Sequence, residues 1–148
     1  MKNILDTIGN TPIIELTNVV KHCNVQGHIY AKLEFYNPGL SKKDRIAKFC
    51  IEEAKKNGDL KDGQEVVEVT SGNTGIGLAI VCNIYQHKFT AILSSAVSKE
   101  RIQLLKKLGA KVIVVGNEQY GRFSGCNFEQ LMEVGEIYCR LKSQKSQP

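Results

Sequence analysis

Thr70-Ser71-Gly72-Asn73-Thr74-Gly75 lies between an apolar, β-branched stretch, Glu65 to Val69, and a helix-like stretch, Ile76 to Tyr85. A strand that runs through a glycine-containing loop into a helix aims several backbone N–H groups, and the positive end of the helix dipole, at one spot. Thr70, Ser71, Asn73 and Thr74 surround that spot with short hydrogen-bonding side chains, and Gly72 and Gly75 allow a ligand to approach the backbone. The stretch reads as a cradle for a carboxylate or phosphate, with an ordinary strand-to-helix turn as the bland alternative, because the same residue types favour turns. Its glycines, Gly72, Gly75 and Gly77, fall as G-x-x-G-x-G, which is not the dinucleotide order G-x-G-x-x-G. The next strand ends in Ser94-Ser95, with no acidic residue to hold a ribose, and no Gly-Lys-Ser or Gly-Lys-Thr of a P-loop follows the glycines. These features argue against a nucleotide site.

Outward from the loop, short β-branched runs alternate with helical patterns, the mark of parallel strands joined by crossover helices in an α/β fold. Glu65 to Thr70 is the first strand, Thr74 to Tyr85 its helix, Thr90 to Ser94 the second strand and Lys111 to Val115 the third. Between the last two strands, Ser98 suits an N-cap, Ile102, Leu105 and Leu108 form a buried stripe, and Gly109 suits the C′ position. Upstream, Ile29 to Phe35 reads as a strand and Asn37-Pro38-Gly39 as a turn. A helix over about Lys42 to Lys56 follows, with Ser41 and Asp44 as a weak capping box and Asn57-Gly58 as its stop. Downstream, Phe128, Leu131, Met132, Ile137, Tyr138 and Leu141 give a last amphipathic pattern, weakened by Gly135. Residues 1–141 are expected to form one α/β unit, and 142–148 a polar, disordered tail.

The 148 residues suffice for one domain with a real core, and 42% hydrophobic with 24% charged residues is ordinary for a globular chain. The net charge of +5 is spread along the chain in pairs such as Lys42-Lys43 and Lys106-Lys107, without the clustered basic stripe that nucleic-acid binding requires. Five cysteines, an odd number with no C-x-x-C pair, suit a reducing compartment. Cys50 and Cys82 read as small buried hydrophobes, and the three histidines as isolated residues that make no metal site. No segment has the length and apolarity of a membrane span or a signal peptide, so a cytoplasmic location is expected.

Ser41-Lys42-Lys43-Asp44-Arg45 is the second candidate site. A lysine in the first turn of a helix faces the positive end of the dipole, which favours the uncharged amine, and only an uncharged amine attacks an aldehyde. By itself, a lysine pair at a helix start is more often a solvated surface feature. A partner site has to decide between the two.

Asn37-Pro38-Gly39, Ser41 to Arg45 and Thr70 to Gly75, in that order, resemble the motifs of the cysteine synthase and cystathionine β-synthase family of pyridoxal-phosphate enzymes. Ile8-Gly9-Asn10-Thr11-Pro12 is similar to the family's opening motif. Ala31-Lys32-Leu33-Glu34 is similar to its first large-domain strand, and Glu100-Arg101 with Leu108-Gly109-Ala110 to a later helix and turn. The likeness runs from about Thr7 to Val115. It implies the fold of the fold type II pyridoxal-phosphate enzymes, in a truncated version that resembles the N-terminal half of cysteine synthase.

Carried over by position, the resemblance makes Lys43 the residue that binds pyridoxal phosphate covalently and then serves as general base. Asn73 would hydrogen-bond the cofactor's 3′ oxygen, and Thr70, Ser71 and Thr74, with loop amides such as that of Gly72, would hold an amino acid's carboxylate. The implied reaction replaces the β-substituent of O-acetylserine or serine by sulfide to form cysteine. The alternative is a non-catalytic truncated paralogue that binds a full-length relative or a small carboxylate. Half of the fold would leave an apolar face open to self-association or to such a relative. The family's phosphate-binding Gly/Thr-rich loop, and the Ser or Thr at the pyridine nitrogen, have no counterpart after Val115. Leu40, Lys42, Val69 and Ser94-Ser95 depart from the family's usual small residue, apolar residue, proline and Pro-Glu pair.

Overall fold

The computed structural model describes residues 1–70, 72–116, 132 and 135–140 of the chain. A short 3-10 turn over Ile4–Thr7, capped by Asn3, leads into β1 (Ile13–Glu15), α1 (Thr17–His22) and β2 (Tyr30–Lys32), and β1 and β2 pair antiparallel. After a second 3-10 turn, Glu34–Tyr36, come α2 (Lys43–Asn57), β3 (Val66–Val69), α3 (Asn73–Ile84), β4 (Phe89–Ser94), α4 (Lys99–Lys107) and β5 (Lys111–Val115). Strands β3, β4 and β5 form a parallel sheet in that order, with Val67 opposite Thr90 and Ile92 opposite Ile113. This is the α/β arrangement expected from the alternating pattern.

The strand alternation sorts side chains onto two faces. Ala91 and Leu93 join Leu105 of α4 and the apolar face of α3 in the main core, while Ile92 and Val115 meet Val67, Val69, Ile113 and Tyr138 on the other side. Helix α3 carries no charged residue and buries Ile76, Leu78, Ala79, Val81 and Cys82 between α2, β4 and α4. A helix buried on several sides has to be apolar nearly all round. The Tyr138 hydroxyl donates to Glu65 (3.0 Å), holding the helical residues 135–140 to the sheet. Gly135 lies close against the sheet there, where a Cβ would approach Val69 Cγ2 to 3.0 Å.

Three local expectations change. The strand expected over Ile29 to Phe35 stops at Lys32, because Asn37 draws the Glu34 carbonyl onto its side-chain amide (2.8 Å) and curls the chain. The hairpin partner β1 and helix α1 are three and six residues long, too short for periodicity to register. Cys50 is exposed, since α2 buries the stripe Asp44, Ala47 and Ile51, whereas Cys82 is fully buried and burial pushes its thiol up to about 12. The expected helical positions Phe128, Leu131 and Leu141, and the tail 142–148, lie outside the described residues. Among the described residues, no helix is long and apolar enough to cross a membrane.

Candidate active site

Lys43 is the first residue of α2, and the turn that delivers it is built around two buried polar side chains. Asn37 is 1% exposed; its Oδ1 accepts the Gly9 N–H (2.8 Å), and its Nδ2 donates to the carbonyl (2.8 Å) and carboxylate (3.0 Å) of Glu34. Glu34 in turn pairs with Arg45, whose side chain lies over Gly9. Leu40 then turns the chain with φ +59° and donates its N–H to the Asn37 carbonyl (2.8 Å). Ser41 Oγ accepts the Lys43 N–H (3.1 Å) and so steadies the helix start, although the cap position itself falls to Lys42, whose side chain makes no capping bond.

The reciprocal half of the expected capping box does not form. The Asp44 carboxylate reaches back to the N–H of Gly39, not to Ser41. Aspartate is one methylene shorter than the preferred glutamate, and burial against α3 turns it toward the Pro38-Gly39 turn. Asp44 is 1% exposed and its Oδ1 has no partner; burial raises its carboxyl above the ordinary value, and the Gly39 N–H opposes that rise. Gly39 is required beside it, because a Cβ would sit 2.4 Å from Oδ1. Lys43 is half-buried, and its Nζ makes no hydrogen bond or ion pair with a described residue, while Lys42 points to solvent.

The glycine loop is organised by Thr70. Its N–H pairs with the Ile92 carbonyl (3.0 Å), and its buried Oγ1 accepts the N–H groups of both Gly72 and Gly75 (3.2 Å each). The Ile76 N–H turns to the Gly72 carbonyl (3.3 Å). The N–H groups of Asn73 and Thr74 take no partner among the described residues, and these are the orphan donors of a helix start. Asn73 is exposed and Thr74 half-buried; Ser71 lies outside the described residues. The Thr70 oxygen is thus occupied by the loop itself, and its hydroxyl hydrogen is what it can offer a ligand.

Gly77, one turn into α3, brings the two sites together. A Cβ there would lie 3.2 Å from the Lys43 carbonyl, 3.2 Å from Asp44 Cα and 3.1 Å from Ala47 Cβ. The start of α2 therefore packs backbone to backbone on α3, one turn from the open amides of Asn73 and Thr74. Lys43, Asn73, Thr74 and Thr70 form one neighbourhood at the carboxyl ends of the parallel strands, where open α/β sheets place their ligands. An unpaired amine, two open amides and an exposed carboxamide fit a group that presents an aldehyde to Lys43, together with a carboxylate on the amides.

Sequence reasoning did not weigh the buried carboxyl of Asp44 or the buried amide of Asn37 as parts of the site. It used Arg101 only as a landmark. Arg101, in the first turn of α4, lays its guanidinium on Gly72: a Cβ at that glycine would be 2.9 Å from Nη1 and 3.2 Å from Cζ. The available signal was a cation in a first turn, where the dipole disfavours it.

A family model described as pyridoxal-phosphate dependent enzyme matches residues 4–145. The chain is 46% identical over 112 residues to a cysteine synthase of Staphylococcus aureus, a stretch of 76% of this chain and 36% of that protein. It is also 46% identical over 112 residues to the cystathionine beta-synthase of Saccharomyces cerevisiae, covering 75% of this chain and 22% of that protein. The structure of cysteine synthase from Entamoeba histolytica superposes with a TM-score of 0.82 at 33% identity, over 99% of this chain and 41% of that one. The O-acetylserine dependent cystathionine beta-synthase from Helicobacter pylori superposes at 0.73 and 32% identity, over 93% of this chain and 44% of that one. The chain thus spans between a fifth and two fifths of the length of the curated relatives it matches.

Proposed function

The chain belongs to the pyridoxal-phosphate dependent enzyme family, and we propose that its α2 and α3 starts form the lysine and carboxylate portion of a site for β-replacement on an activated serine. The substrate in this reading is O-acetylserine or serine, the nucleophile is sulfide and the product is cysteine. What supports it is the unpaired Lys43 Nζ, held by the buried Asn37 and Ser41 turn and packed through Gly77 beside the open amides of Asn73 and Thr74.

Pyridoxal phosphate, when bound, supplies an electron sink for charge at the substrate's Cα. The chain's own residues do the rest. Lys43 would hold the cofactor's aldehyde carbon through Nζ, and the same nitrogen, as an uncharged amine, would serve as general base for the substrate's Cα proton. Asn73 orients the ring through its carboxamide. The amides of Asn73 and Thr74 and the hydroxyls of Thr70, Ser71 and Thr74 would fix the substrate carboxylate and so orient the substrate. Purified protein mixed with pyridoxal phosphate is expected to develop visible absorbance that Lys43→Ala abolishes; a colourless parent protein refutes the reading.

A second reading, a non-catalytic chain that associates with itself or with a full-length relative, draws on a specific observation. The β1–β2 hairpin exposes Ile13 (60%) and Tyr30 (62%), and the following turn exposes Phe35 (58%) and Tyr36 (60%). A two-stranded hairpin with bare apolar side chains is rarely stable uncovered. Sedimentation velocity, alone and with a full-length relative, tests it, and a monomer in both runs counts against it.

A further inference from the structure

We propose that Arg101 supplies the counter-charge for the carboxylate held on the 70–75 loop. The inference rests on that loop's assignment as the carboxylate site and names the residue that gives it its charge preference. The loop's own side chains, Thr70, Ser71, Asn73 and Thr74, are all neutral, and α3 carries no charged residue from end to end. Amides and hydroxyls bind an anion through partial charges only, and charge-assisted bonds are roughly twice as strong. Lys43 is committed to the cofactor's aldehyde carbon in the proposed chemistry. Arg101 is the cation that the described structure places in contact with the loop.

Its placement is built into the fold. Helix α4 follows β4, so its first turn stands at the same carboxyl-terminal edge of the sheet as the loop after β3. Ser98 caps that turn by accepting the Arg101 N–H (3.4 Å), which sets the arginine in the turn closest to the loop. The guanidinium then occupies the space that a side chain at position 72 would take, with Nη1, Cζ and Nε at 2.9, 3.2 and 3.7 Å from the Cβ that Gly72 lacks. A side chain at position 72 would push the guanidinium aside, so Gly72 lets the arginine lie directly on the loop. Gly72 directly precedes the residues whose amides are open. The ligand class this favours is an α-amino carboxylate, or a small carboxylate in its place.

Titration of 15N-labelled protein with L-serine, followed at the Asn73 and Thr74 amides by NMR, tests the role without any cofactor. Arg101→Gln is expected to weaken the affinity about tenfold, as loss of one charge a few ångströms from a partly wetted anion does, and to flatten its dependence on salt. Arg101→Lys is expected to recover part of the affinity. Lys107→Gln, which removes the same charge from the far end of α4, is expected to leave it unchanged, and all three variants should melt near the parent temperature. Equal affinities for Arg101→Gln and the parent overturn the proposal, as do equal losses for Arg101→Gln and Lys107→Gln. Parent amides that ignore L-serine overturn it together with the carboxylate assignment. Binding of L-serine without pyridoxal-phosphate colour would instead count against the catalytic reading alone and leave Arg101 its role.

Discussion

Leu40 offers a direct test of how the lysine turn is made. Its φ of +59° is a conformation that costs an L-residue roughly 1–2 kcal/mol, because Cβ crowds the following carbonyl. Its side chain is 73% exposed and contributes little by burial. Replacement by glycine removes the crowding but frees the unfolded chain, which returns about 0.4–1 kcal/mol. Replacement by alanine loses the same side chain while keeping Cβ, so the pair Leu40→Gly and Leu40→Ala isolates the backbone. Leu40→Gly should be the more stable of the two by about 1 kcal/mol, the reverse of the order in a helix interior. With a urea m-value of about 2 kcal/mol per molar, their unfolding midpoints should differ by about 0.5 M. A midpoint for Leu40→Ala equal to or above that for Leu40→Gly would refute the reasoning, since the turn would then not depend on a left-handed residue at position 40.

Gly77→Ala should destabilise the fold by about 1–3 kcal/mol through overpacking of α2 on α3, read as a lower urea midpoint, and should slow colour development with pyridoxal phosphate. Ser98→Ala removes the cap of α4 and should cost about 1 kcal/mol of thermal stability, with an added loss of L-serine affinity if the cap positions Arg101. Burial raises the Asp44 carboxyl in the folded chain, so its contribution to stability is full below the unfolded value of 3.8 and is lost as pH rises through the raised one. Asp44→Asn should therefore gain stability relative to the parent as pH rises, and parallel pH profiles would contradict the buried geometry. In the native protein Cys50 should alkylate readily at mildly alkaline pH while Cys82 does not, by mass spectrometry of trapped peptides.

The parallel sheet and its crossover helices were legible because each signal was local and repeated. Val66 to Val69 and Leu105 with Gly109 carry the β-branched run, the stripe and the stop of their own elements, and tertiary packing agrees with them. The antiparallel hairpin was not legible, because three-residue strands such as Ile13–Glu15 give alternation nothing to repeat over. Lys43 and the 70–75 loop were visible as separate candidates. What joins them, the contact of Gly77 with the Lys43 carbonyl, is a relation between two helices and leaves no mark in either segment. Asp44 was misjudged for a related reason. As a capping-box acid it would face solvent, and only the packing of α3 over α2 makes it a buried carboxyl bonded to Gly39.

The departures from the family pattern now separate by physical consequence. Lys42 points to solvent, so a second ammonium beside Lys43 neither crowds the packed interface with α3 nor takes a place in it. Leu40 is the departure with a structural cost, because the backbone keeps the left-handed turn that a glycine would adopt freely and an L-residue holds under strain. That strain is held by the buried Asn37, whose carbonyl takes the Leu40 N–H and whose side chain is itself fixed by Gly9 and Glu34. A turn over-determined in this way keeps Ser41 and Lys43 in place despite an unfavourable residue. Weakening Asn37 should therefore do more damage to the lysine site than relieving Leu40 can repair. Asn37→Ala strips a fully buried hub of three hydrogen bonds and leaves the Gly9 amide orphaned, a loss of about 2–4 kcal/mol that Leu40→Gly in the same chain should recover only in small part. Full recovery in the double variant, by urea unfolding, would mean that the turn is held by something other than Asn37.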